Sequence, residues 1–168
     1  MKTLFTLFLL PLCWITPATL QSDETTLSPA ATEEMSLNWY TSLKKGQEMA
    51  KSSHLPLYIC FTGKNWCFWC QKLEKEIHTS PEFIQKVQDK FIFVQIDIPK
   101  EQTSVDPEIR ELMIKYQVYG VPVILIMTPE MEKLGQLSYQ RISPQAFAKL
   151  ALTLGYPAAE TSTAPSTP

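Results

Sequence analysis

Two cysteines, Cys67 and Cys70, stand three positions apart in the segment Trp66-Cys67-Phe68-Trp69-Cys70. On a helix that spacing sets one side chain about a turn above the other, near enough for the sulfurs to join as a disulfide. The segment follows an apolar run and opens a helical pattern, so Cys67 is expected at a helix N-terminus. Free N–H groups and the helix dipole there favour the thiolate. The thiolate is the attacking species in thiol–disulfide exchange, and Cys70 is then placed to resolve a mixed disulfide. The chemistry to expect is exchange through a Cys67–Cys70 disulfide, with no metal and no dissociable cofactor. A structural zinc site would need about four ligands, usually with a second closely spaced pair. Only Cys60, His54 and His78 are on offer, and none has pair spacing. An inert structural disulfide is the other alternative. Against it, Trp66, Phe68 and Trp69 surround the sulfurs with an apolar collar suited to docking a substrate.

The elements that must hold this pair can be read from hydrophobic spacing. Leu37, Tyr40, Leu43 and Met49 predict a helix over 36–53, ended by His54-Leu55-Pro56. Leu57 to Thr62 reads as a buried strand. A helix from Cys67 carries Cys70, Leu73 and Ile77 on one face. Ser80-Pro81 starts another helix, reaching about Asp89. Phe91–Ile98 is a second strand, with Phe91 and Phe93 as core residues. Asp106-Pro107 opens a helix with Ile109, Leu112, Met113 and Tyr116 on one side. Val121–Met127 and Leu134–Tyr139 are further strands, and Ser143-Pro144 caps a last helix ending at Gly155. One βαβ unit, a hairpin and a closing helix imply an α/β domain, a central mixed sheet flanked by helices on both faces. A Cys-x-x-Cys in a βαβ setting is a redox pattern. His54 and His78 are expected at the surface, Asp97 is expected to cap or pair locally, and Cys60 is expected to be a small buried hydrophobe.

The chain has 168 residues, 45% hydrophobic and 19% charged, a composition for one globular domain. Its formal net charge of −2 gives no basic excess for nucleic acid. Lys2, the apolar run Leu4–Leu12 and the small residues Thr16 and Ala18 have the layout of a cleaved signal peptide over 1–18. That run is far short of the roughly 20 residues that span a bilayer, so no stable membrane insertion is expected after cleavage. Residues 19–35 are polar and read as a flexible linker. The domain is expected over 36–156, followed by a disordered Pro/Ser/Thr tail over 157–168.

The segment Trp66-Cys67-Phe68-Trp69-Cys70-Gln71-Lys72-Leu73-Glu74 resembles the active-site region of thioredoxin-fold proteins. It is similar above all to the branch that includes the C-terminal periplasmic domain of the transmembrane reductase DsbD. Tyr116-Gln117-Val118-Tyr119-Gly120-Val121-Pro122-Val123 is similar to the family's second signature. The resemblance covers about residues 36–155. It implies a thioredoxin fold in which Pro122 is a cis-proline facing the disulfide and Val121 and Pro122 contact substrate. It also implies a periplasmic thiol–disulfide oxidoreductase acting on disulfide-containing proteins, and a membrane electron donor of the DsbD type. A monomer is expected.

Two departures from the family matter. Thioredoxin has Gly-Pro between its cysteines where this chain has Phe68-Trp69. Thioredoxin also places a buried aspartate on the preceding strand, where this chain, allowing one extra residue in Gly63-Lys64-Asn65, has Cys60. Glu74 is the candidate replacement, four residues after Cys70 and seven after Cys67, and the resemblance implies a glutamate at this place in the DsbD domain. As a partly desolvated carboxylate it is expected to have a raised pKa and to accept the Cys70 proton. A solvated charge among Lys72, Lys75 and Glu76 is the alternative. Reduction is the expected direction. Oxidation or isomerisation by the same fold, and simple binding of unfolded chains by the aromatic collar, stay open.

Overall fold

The computed structural model describes residues 35–101 and 104–157. The expected signal segment, nearly all of the linker and the tail beyond Pro157 lie outside the described residues. Strand β2, Leu57–Thr62, is buried along its whole length, which is why its sequence is a continuous apolar run and not an alternating one. It pairs in parallel with β3, Ile92–Asp97, and antiparallel with β4, Val123–Met127. Strand β5, Lys133–Ser138, closes one edge against β4, and β1, Trp39–Tyr40, lies parallel to β3 at the other. The order is β1-β3-β2-β4-β5, a mixed sheet.

Each face of the sheet has its own core. On one, Tyr58 and Cys60 of β2 pack with Leu73, Ile77, Phe83 and Phe147. These come from helices α2 (Phe68–Leu73), α3 (Pro81–Val87) and α5 (Pro144–Gly155) and from the turn after α2. On the other, Leu57, Ile59 and Phe61 pack with Ala50 of α1 (Leu43–Ser53) and Tyr116, which caps α4 (Pro107–Lys115). Burying one such apolar side chain stabilises the fold by about 1.5–3 kcal/mol. The alternation along β2 thus ties both layers to the strand that leads into Cys67.

The single helix expected over 36–53 is instead a short strand followed by a helix. Ser42 caps α1, its Oγ accepting the Lys45 N–H at 3.4 Å. Trp39 and Tyr40 pair with Phe93 and Val94, and the Trp39 ring packs 5.3 Å from Phe93. Met49 is exposed, and α1 buries Gly46 and Ala50. The helix lies so close to β3 that a Cβ on Gly46 would collide with Val94. The helix expected from Cys67 also differs. After Leu73 it widens into a π turn, Glu74–His78, in which the Thr79 N–H bonds to the Glu74 carbonyl.

Candidate active site

Strand β2 ends at Thr62 and the chain turns sharply through Gly63–Trp66 before α2 begins. Asp97, at the end of β3, fixes this turn by accepting the Lys64 N–H at 2.9 Å. The Gly63 carbonyl accepts N–H groups from Trp66 and Cys67, at 3.2 and 2.8 Å. Cys67 is the N-cap of α2, with φ −95° and ψ 106°, and its Sγ accepts the Cys70 N–H at 3.1 Å. Cys70 Sγ in turn accepts the Gly63 N–H at 3.4 Å. The two sulfurs are bonded to each other, with Cα atoms 5.2 Å apart. Backbone N–H groups therefore point at both sulfurs, an arrangement that favours negative charge on either.

The second segment of the site comes from the loop before β4. The Val121–Pro122 peptide bond is cis, and the Val121 carbonyl oxygen lies 3.7 Å from Cys67 Sγ. Cys67 is 7% exposed and Cys70 3%, so both residues are buried in the disulfide form. Around them Trp66, Phe68 and Trp69 are exposed, Phe68 most of all. Trp66 is anchored through its Nε1–H to the Ile98 carbonyl at 2.9 Å. Trp69 stacks on Tyr139, with ring centroids 5.7 Å apart.

Glu74 and Cys70 line one cavity of about 520 Å³, with Lys64, Gln71 and Gln95 also on its walls. The Glu74 carboxylate has a hydrogen-bond partner. It is half-buried, and its Oε2 lies 3.0 Å from Nδ1 of His78. His78, expected at the surface, is buried between Trp39, Tyr58 and Phe83, and its Nε2 meets the Tyr58 hydroxyl at 3.0 Å. The hydrogen bond from His78 holds the Glu74 carboxyl below its ordinary value of 4.5, against the opposing effect of burial. The expected rise in its pKa is therefore corrected. Burial alone would raise it, but the histidine beside it outweighs burial.

Cys60 is the one free cysteine among the described residues, and it is buried. Burial, reinforced by the charge of Glu74, pushes its thiol far above the usual range, so it behaves as a small hydrophobe and not as a nucleophile. Among the described residues no group of three or more His, Cys, Asp or Glu side chains is placed to hold a metal ion. Likewise, no described helix is long and apolar enough to cross a membrane. His78, Tyr58, Tyr139 and Arg141 were not assigned to the site from sequence. For His78 a signal existed: it lies four residues after Glu74 and eight after Cys70, on the face that also buries Leu73 and Ile77.

Comparison with known proteins places this site in a family. A family model described as Thioredoxin-like matches residues 38–129. The thioredoxin-related protein DsbJ of Chlamydia pneumoniae is 31% identical over 99 residues, which are 56% of this chain and 28% of that protein. The disulfide bond reductase DsbH of the same organism is 28% identical over 107 residues, 62% of this chain and 64% of that protein. The chain thus spans less than two thirds of either relative. The solved structure of a DsbH oxidoreductase superimposes with a TM-score of 0.64 at 25% identity, covering 79% of this chain and 94% of that one. The oxidised C-terminal domain of DsbD from Neisseria meningitidis gives a TM-score of 0.53 at 20% identity, over 64% of this chain and 87% of that one. The paired sulfurs at a helix start, the Val121 carbonyl beside them and the matched model agree, and the chain belongs to the Thioredoxin-like family.

Proposed function

We propose that this protein is a thiol–disulfide oxidoreductase that reduces disulfides in exported proteins. The observation that carries the reading is the position of Cys67, capping α2 with its sulfur bonded to Cys70 and set beside the Val121 carbonyl. In the reduced form the Cys67 thiolate attacks one sulfur of a substrate disulfide. The other substrate sulfur leaves as a thiolate and takes a proton from solvent. Cys70 then loses its proton and attacks Cys67, which forms the Cys67–Cys70 disulfide and frees the second substrate sulfur. Two electrons pass from the cysteine pair to the substrate. Glu74, on the wall of the cavity that reaches Cys70, accepts the Cys70 proton. Trp66, Phe68, Trp69, Val121 and Pro122 form the surface on which the substrate chain lies.

The disulfide formed in each cycle must be reduced again by a dithiol donor. We assign that role to a membrane reductase of the DsbD type, on the resemblance of residues 66–74. The signal layout of residues 1–18 supports action in the periplasm, where disulfides persist. A reduction assay with insulin and dithiothreitol tests the reading. The protein is expected to accelerate insulin precipitation, and Cys67→Ser to abolish the acceleration. Equal rates with and without the protein would refute it.

A further inference from the structure

The surface beside the disulfide has an electrostatic asymmetry. A groove of about 370 Å³ runs between Trp69, Val121, Pro122, Ser138, Tyr139 and Arg141. Its walls belong to the site, since Val121 touches Cys67 Sγ and Trp69 lies between the cysteines. Arg141 sits at its rim with the guanidinium carbon 5.4 Å from the Trp69 ring centroid, a cation–π geometry. The charges next to it neutralise one another. Glu76 receives the Tyr139 hydroxyl and pairs with Lys72 at 2.9 Å, and Lys72 lies 6.0 Å from the Phe68 ring. Among the described residues Arg141 has no carboxylate partner and no hydrogen bond. Its donors are therefore unspent, and it is an exposed cation on a protein of net charge −2.

An arginine guanidinium placed over an aromatic ring keeps its N–H donors for a carboxylate, which it can engage through two parallel N–H donors. Resting on the reductase reading above, we infer that Arg141 makes this groove a subsite for an acidic side chain, so that the protein prefers substrate disulfides flanked by Asp or Glu. The occupant is an extended stretch of the substrate chain next to its attacked cysteine. Its apolar part lies on Trp69 and Pro122, and its carboxylate reaches Arg141. A lysine at the same place meets the guanidinium as a like charge and is disfavoured.

The test uses three disulfide-linked peptides that differ only in one residue beside the cysteine, Glu, Gln or Lys. The reduced protein is mixed with each, and the second-order rate constant of a single turnover is followed by tryptophan fluorescence. Wild type is expected to react about three- to tenfold faster with the Glu peptide than with the Lys peptide, the size of an exposed ion pair. That ratio should shrink toward one in high salt, as screening requires. Arg141→Gln should bring the ratio close to one, and Arg141→Glu should invert it. Because Arg141 is exposed, these changes leave the core intact. An unchanged Glu-to-Lys ratio in Arg141→Glu would overturn the inference while leaving the reductase reading standing. No reaction of wild type with any of the three peptides would overturn the reductase reading itself, and this inference with it.

Discussion

The Glu74 carboxylate and the His78 ring meet at 3.0 Å, and they do so from opposite environments: the glutamate side chain is 45% exposed and the histidine 1%. With its proton on Nδ1 the ring donates to Glu74 and leaves Nε2 to accept the Tyr58 hydroxyl, 3.0 Å away. A chain of hydrogen bonds thus runs from Tyr58, near the start of β2, to the cavity beside Cys70. It fixes an acid near the active site without placing that acid on the strand.

This pair should make stability depend on pH in a defined direction. The folded-state pKa of Glu74 lies below 4.5, so the unfolded chain takes up the proton first on acidification. The stabilisation is present above the ordinary carboxylate value and is lost as pH falls through the folded one. Glu74→Gln should be less stable than wild type at pH 7 in urea unfolding, and the gap should close as pH falls below 4.5. A gap that stays constant would mean that His78 does not favour the ionised carboxylate.

The same substitution should alter the chemistry. An ionised carboxylate near the sulfurs disfavours a thiolate, so Glu74→Gln should lower the Cys67 pKa in an ultraviolet titration of the reduced protein. It should also slow resolution of the mixed disulfide. A general base is typically worth about 10²–10⁴-fold, and a carboxylate held below its ordinary pKa is a weak base, so the loss should be about 10²-fold at most. Superimposable titrations and equal resolution rates would leave Glu74 with a structural role alone.

Tyr58→Phe should expose the value of the buried chain. It keeps the ring among Trp39, Phe83, Phe91 and Phe93 but leaves His78 Nε2 without its partner. An unsatisfied buried polar group costs about 1–3 kcal/mol, to be read from the shift in urea midpoint at constant slope. No shift would show that Nε2 finds another partner.

How far the sequence reveals this molecule follows from which contacts are local. Strand β2 is legible to the residue because a strand buried on both faces must be apolar throughout. The Cys67–Cys70 pair is legible because helical spacing decides it. Strand β1 is not, since two edge residues paired with distant Phe93 and Val94 look like part of the helix that follows. His78 illustrates the other kind of failure. A histidine among charged residues has the composition of a surface, and only the tertiary aromatic cage with Trp39 and Phe83 makes its burial favourable. The sign of the Glu74 shift failed with it, because that sign depends on a partner whose helix-face position is masked by its charged neighbours.

Cysteine replacements separate the two sulfurs by role. Cys67→Ser should abolish turnover. Cys70→Ser should accumulate a mixed disulfide with substrate, seen as a mass shift that reductant reverses. Full multiple turnover by Cys70→Ser would rule out the two-cysteine mechanism. Cys60→Ala should leave the reactive pair titrating as in wild type, because a thiol that burial keeps protonated takes no part in exchange.

The central claim is that the Cys67–Cys70 couple donates electrons to substrates. The equilibrium of the protein with a dithiol buffer of known potential measures this directly, with the oxidised fraction counted by thiol alkylation and mass. A midpoint nearer the roughly −270 mV of thioredoxin than the roughly −120 mV of DsbA is the predicted result. A midpoint close to about −120 mV would mean that the reduced pair is the favoured form, and it would contradict a reductase.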